Sequence, residues 1–210
     1  MKNLKLTTLG IWTQLPTLLF IIFSLGCASS APTPDKAKAI DESVNAALGR
    51  FNAKLKGADN LVQSAKGALV FPEVIQGGAI AGGEYGEGVL RVGGRTVDYY
   101  SMTAASLGLR LGDQKKDIII LFMDQNALNK FESRRDWTVG VDGTITLVTL
   151  GVGATANSIK SNQPVLGFVV GQTGLMGGIS LQGSKFIKLQ PAASNSQEPG
   201  GYIPPGFADR

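Results

Sequence analysis

The chain has 210 residues, 20 Lys and Arg against 16 Asp and Glu for a formal net charge of +4, one cysteine and no histidine. The missing histidine excludes Ser-His-Asp and Cys-His catalysis, histidine zinc sites and the usual general base near neutral pH. A lone cysteine excludes an intrachain disulfide, so stability has to come from packing, and the charge is too mild to point to nucleic acid.

At the N-terminus, Lys2 and Lys5 precede the apolar run Leu15 to Gly26, which is followed directly by Cys27. A cationic start, an apolar stretch too short to span a bilayer and a small residue at the cut describe a secretory signal peptide. With cysteine as the next residue, the segment resembles the bacterial lipoprotein signal, in which residues 1–26 are removed and Cys27 becomes the acylated first residue. Leu25 stands one place nearer the cysteine than the usual pattern and Ser24 occupies the leucine position, so Gly26-Cys27 is the specific part. The alternative is an ordinary signal peptide or an uncleaved anchor ending near a cysteine. Pro16 opposes a stable spanning helix. The same resemblance makes Ala28 after the cysteine imply sorting to the outer membrane, facing the periplasm. Cleavage removes two lysines and no acid, which leaves a mild positive charge on a chain of one domain plus tails.

Residues 27–34 read as a polar tether, reaching about 25 Å at full extension. Thr33 as N-cap, Pro34 in the first turn and Asp35 at the positive end of the dipole predict a helix start. Ile40, Val44, Leu48, Phe51 and Leu55 recur at helical spacing, which predicts an amphipathic helix over 35–56. Gly57 ends it, and a shorter helix is expected over 59–66 with Gly67 as its stop. Leu69-Val70-Phe71 then reads as a short buried strand ended by Pro72.

From Gly77 to Gly112 glycine recurs among Ala, Val, Leu and Tyr, and the alternation of Val89 and Arg91 against Leu90 and Val92 predicts curved antiparallel strands. Ile118 to Met123 is an apolar run bounded by acids, as expected of a central strand covered on both faces. Asp113, Asp117 and Asp124 around it are read as turn and cap residues, with a metal cluster as the less favoured alternative. Asp124 caps a predicted helix over Gln125 to Glu132. Strands are expected at Trp137 to Val141, Thr144 to Leu150, Leu166 to Val170, Leu175 to Leu181 and Lys185 to Leu189, and residues 190–210, rich in Pro, Gly and Ser, read as a disordered tail. The predicted fold is α+β: two N-terminal helices packed on a curved, glycine-rich, mainly antiparallel β-sheet or partly closed barrel, with the domain over 35–189. A membrane-spanning β-barrel is disfavoured, since aromatic girdles are missing and Ile118 to Met123 has no polar face.

The ordered series Ala65-Lys66-Gly67-Ala68-Leu69-Val70-Phe71-Pro72, Gly77-Gly78, Gly82-Gly83 and Gly86-Glu87-Gly88-Val89-Leu90 resembles the SYLF domain family. Two further blocks agree, Ser106-Leu107-Gly108 with Asp117 to Met123, and Gly174-Leu175 with Gly178 to Ser184. Arg110, where the family commonly has glutamine, and the stretch from Val152 to Pro164 depart from the pattern. The resemblance implies a lipid-binding module: eukaryotic members bind phosphoinositide-rich membranes through a basic amphipathic N-terminal segment, and some bind actin. Bacterial members are secreted or lipid-anchored.

Basic residues on the N-terminal helices are the expected contacts for anionic phospholipid: Lys36, Lys38, Arg50, Lys54, Lys56 and Lys66. Asp35, Asp41, Glu42 and Asp59 dilute their charge. The plainer reading of the same stripe is core burial of Ile40 to Leu55 with solvated lysines, and the two are compatible. Gly151-Val152-Gly153 imitates a dinucleotide loop without the helix or acid that would complete it, so it is read as strand glycine. No Ser-x-x-Lys or Gly-x-Ser-x-Gly pattern occurs, and no cofactor or catalytic residue is expected. The sequence therefore predicts a non-enzymatic, lipid-anchored bacterial envelope protein with a phospholipid-binding domain. The competing reading is an envelope structural or protein-interaction lipoprotein that meets lipid only through Cys27.

Overall fold

The computed structural model describes residues 30–77, 81–107, 115–148, 155–159, 162–171, 174–175 and 180–190. The signal segment, Cys27, Asp113, the Gly151-Val152-Gly153 loop and the tail lie outside the described residues.

Helix α1 runs Pro34–Lys54, with the Thr33 hydroxyl accepting from the Lys36 N–H, Pro34 at the start and Asp35 in the first turn. It ends two residues earlier than the periodicity predicts. Leu55 is extended and fully buried, and the Lys56 carbonyl accepts from the Ala156 N–H at 2.9 Å, so a tertiary backbone pairing draws Lys56 out of the helix. Gly57 turns the chain in the left-handed region at φ 83° into α2, Ala58–Ser64. Helix α1 lies on the sheet, while the short α2 sits beside it, against α1 and a 3-10 turn at Ala156–Ser158. This refines the expectation of two helices packed alike on the sheet, because seven residues bury only Ala58 and Leu61.

The strands are β1 Gly67–Gly77, β2 Ala81–Val92, β3 Arg95–Leu107, β4 Lys116–Phe122, β5 Asp136–Thr138, β6 Thr146–Leu147, β7 Val165–Gly171, β8 Gly174–Leu175 and β9 Lys185–Lys188. They form one sheet in the order β5-β9-β3-β2-β1-β4-β7-β6, with β8 on β7. Between these strands all described pairings are antiparallel except β6 with β7. Among the described residues, the expected strands from Trp137 and Thr144 are shorter, and most of the strand expected over Leu175 to Leu181 lies outside the described residues. Val139 leaves β5 to bridge Gly143 in a turn, and Leu181 packs in the core from a loop.

Both faces of the central strands are apolar in alternation. Leu69, Phe71, Ile118, Ile120 and Phe122 share one core cluster, whereas Ala68, Val70, Ile119 and Leu121 share another. The second cluster is covered by α1 and α2 through Val44, Ala47, Phe51 and Leu61. The first is covered by helix α3, Gln125–Glu132, capped by Asp124, whose carboxylate accepts from the Ala127 N–H at 3.0 Å. Trp137 and Val139 from one end of the sheet meet the same cluster as Ile145 and Leu147 from the other. The sheet is therefore curled into a half-barrel around an aromatic centre in which Phe131 lies 5.0 Å from Phe122 and 5.1 Å from Tyr100.

Strand β1 does not stop at Pro72. Its register shifts against both β2 and β4 between Val70 and Ile75, so Pro72 and Glu73 form a bulge and the strand continues to Gly77. Glu73 has φ 46°, and its N–H donates to Asp117 Oδ1 at 3.0 Å. Opposite the bulge, a Cβ at Gly88 would run into the Val70 carbonyl oxygen, so only glycine allows this close pairing.

Candidate functional site

Helix α1 crosses the convex face of the half-barrel and is fastened there by polar contacts from Lys36, Asp41, Asn45 and Arg50, the Asn45 side-chain oxygen accepting from Arg91 at 2.8 Å. Asp41 accepts from the Thr96 hydroxyl at 2.6 Å, the Tyr99 hydroxyl at 2.8 Å and Arg91 at 3.4 Å. Burial pushes the Asp41 carboxyl up, but these hydrogen bonds outweigh it and hold the group below its usual range. Burial and the neighbouring Asp41 carboxylate push the Tyr99 hydroxyl up in turn.

Arg50 makes a two-pronged pair with Asp117 on β4, at 2.7 Å from Nε and 2.8 Å from Nη2. The Asp117 side chain is 5% exposed, so it is a buried anchor and has no cap or turn role, unlike Asp124. The hydrogen bond to Asp117 raises the Arg50 guanidinium further above its already high value. Near the start of the helix, Lys36 pairs with Glu87 at 2.7 Å, and Glu87 also accepts from the Tyr85 hydroxyl.

Two clefts flank α1. The larger, of about 560 Å³, lies between the first turns of the helix and the far end of the β1–β2 hairpin, with Lys36, Ile40, Ile75, Tyr85 and Lys115 among its walls. The smaller, of about 270 Å³, lies on the other side, between Leu48, Val62, Ala65, Arg91 and the Gly93-Gly94 turn. Among the described residues no three His, Cys, Asp or Glu side chains group to hold a metal ion, and no helix is long and apolar enough to cross a membrane.

The six basic residues expected to meet lipid do not form one patch. Lys36 and Lys38 stand at one end of α1, the latter 4.0 Å from Glu42. Arg50, Lys54 and Lys56 stand at the other, separated by most of a helix about 30 Å long, and Lys66 follows α2. Lys36, Lys38 and Arg50 are in ion pairs, while Lys54, Lys56 and Lys66 are exposed and make none among the described residues.

Sequence reasoning missed Arg91, Lys115, Ile75 and Tyr85, and it took Asp41 and Asp117 for diluting or capping acids. The only local signal for Asp117 is an acid opening a strand that is buried on both sides.

No curated protein matches the chain. Residues 103–195, which run from β3 through β9, match the family model described as Ysc84, Las17-binding protein actin regulator, and this is the SYLF family that the glycine-rich motifs resemble.

Proposed function

We propose that this protein is a non-enzymatic, lipid-anchored component of the bacterial envelope. In this reading residues 1–26 are removed, Cys27 carries the acyl groups, and the SYLF domain meets anionic phospholipid. The observation that carries it is the SYLF match over residues 103–195, a family associated with lipid and actin binding. The Gly26-Cys27 junction after a short apolar run supports the anchor.

Within the basic set, Lys54, Lys56 and Lys66 are the contacts best able to reach head groups, because no carboxylate engages them among the described residues. Each contributes about 1 kcal/mol near an anionic surface. That orients a domain without holding it, and the acyl chains supply retention, at about 0.8 kcal/mol per buried methylene. Actin regulation, named in the family model's description, does not carry over to a protein held on the periplasmic side of a membrane.

Mass spectrometry of the envelope-purified protein tests the anchor: the expected species starts at residue 27 and carries acyl mass. Co-sedimentation with vesicles of increasing phosphatidylglycerol content tests the contact. Replacing Lys54, Lys56 and Lys66 together by Gln is expected to weaken the anionic-lipid-dependent part about a hundredfold. Binding that ignores vesicle charge, or survives that triple change, would sink the site. Arg50 is left intact because its loss would strand the buried Asp117 carboxylate.

A further inference from the structure

Three apolar residues that the sequence pattern turns inward, Leu48 on α1, Val62 on α2 and Ala65 just after it, are only half-buried. All three line the smaller cleft, of about 270 Å³, which also touches the buried Ala68 and the Gly93-Gly94 turn. Both glycines lie in the left-handed region, at φ 58° and 78°, as the two-residue turn between the paired Val92 and Arg95 requires. They carry no side chain, so backbone alone forms that wall.

The charged part of the wall is cationic. No acid stands among the lining residues, and Asp59, one turn before Val62 on α2, is not one of them. Arg91 lines the cleft. Asn45 and Asp41 take its Nη1 and Nη2, while its buried Nε has no acceptor among the described residues. Lys66 sits in the chain between the lining residues Ala65 and Gly67, and Arg95 directly follows Gly94. Both are exposed and make no ion pair among the described residues. Apolar walls beside cationic side chains suit an occupant with an apolar body and an anionic head. The volume limits its size. About 270 Å³ lies below the about 300–1,000 Å³ of sites for drug-sized ligands, so the cleft takes one alkyl chain and excludes the paired chains of a whole phospholipid.

We infer that this cleft takes one acyl chain of an anionic phospholipid whose head group meets Lys66 and Arg95. The inference rests on the proposed contact between the domain and anionic lipid, and adds to it the capture of a single chain. Moving methylenes from a bilayer into the cleft exchanges one apolar environment for another, so the chain brings little affinity and the head group decides the selection. Lys54 and Lys56, which do not line the cleft, meet neighbouring head groups.

The test uses the envelope-purified chain in vesicles of phosphatidylethanolamine and phosphatidylglycerol, with a photoactivatable diazirine in one acyl chain of either lipid at fixed total composition. Irradiation, digestion and mass spectrometry then map where that chain lies. The phosphatidylglycerol probe is expected to label Leu48, Val62 and Ala65 about thirtyfold more than the phosphatidylethanolamine probe, and Lys66→Gln to lower that preference to about fivefold. Ala65→Leu, which fills the cleft at an extended backbone position, is expected to abolish the labelling while phosphatidylglycerol-dependent co-sedimentation stays. Its melting temperature reports whether it folds, and the wild-type map decides alone if it does not. Equal labelling by the two probes, labelling confined to other residues, or labelling that survives in folded Ala65→Leu overturns the inference and leaves the anionic contact standing. Vesicle association that ignores lipid charge, or its absence, overturns both.

Discussion

Arg50 and Asp117 are 67 residues apart in the chain and meet in a two-pronged ion pair that joins α1 to β4. The same Asp117 carboxylate accepts the Glu73 N–H, so one side chain anchors the helix and closes the β1 bulge. The helix-to-sheet contact and the irregular strand thus depend on a single buried acid.

Asp117→Asn is expected to destabilise the fold by about 3 kcal/mol, since it removes the charge that Arg50 was placed to meet. Arg50→Ala leaves the buried carboxylate without its cation and is expected to cost a similar amount. A double-mutant cycle by urea unfolding should show strong coupling between the two positions. Additive effects would mean that solvent screens the pair through the 43% exposed Arg50 side chain.

Asp41 gives a pH dependence of defined sign. Its folded-state pKa lies below the reference 3.8, so the stabilisation by Thr96, Tyr99 and Arg91 is complete above that value and is lost as pH falls through the lower folded pKa. The stability gap between wild type and Asp41→Asn should therefore be constant from neutral pH to about pH 5 and shrink below the reference. Tyr99→Phe should narrow the gap at neutral pH. Thermal unfolding across that range reads both effects, and a gap that widens on acidification contradicts the assignment.

Lys116 and Glu84 form a second ion pair on the concave side, 2.7 Å apart, with side chains only 4% and 9% exposed. Desolvation of two charges offsets much of their attraction, so Lys116→Met together with Glu84→Leu is expected to be neutral or stabilising by about 1–4 kcal/mol. Lys116→Met alone, which strands the glutamate, should cost about 3 kcal/mol. Denaturant midpoints of the three variants decide it, and a double variant as unstable as the single one would show that the charges have a role beyond packing.

Gly88→Ala should destabilise by about 1–3 kcal/mol, towards the upper end, because the atom in its way is the Val70 carbonyl oxygen and cannot rotate aside. Gly49→Ala serves as the control, since a Cβ there meets nothing within 4 Å and lies on an exposed helix position, where alanine is the better helix former. A lower melting temperature for the first and an unchanged or higher one for the second is the expected pattern.

Periodicity made much of the fold legible. Ile40, Val44 and Phe51 are buried as the helical spacing requires, and Ile118 to Phe122 is buried throughout, as an apolar run of strand length between acids implies. The Thr33 and Asp124 caps also followed from local chemistry. The continuation of β1 past Pro72 did not, because proline removes a donor and ordinarily ends a strand. Only the acceptor that Asp117 offers to the following N–H lets the ladder resume. For the candidate site, the identity of the basic residues was legible and their pairing was not. Arg50 and Lys54 look alike in sequence, yet one is held by a buried acid while the other is solvated.

By itself, the order of residues determined the existence and start of the N-terminal helix, the doubly apolar central strand, the glycine-rich meander around it and the short apolar run ending at Cys27, because each follows from spacing or chemistry within a few neighbours. The tertiary structure alone decided which cations are neutralised and where β1 bulges. Those outcomes depend on strand order and register, which bring together side chains that no local pattern relates.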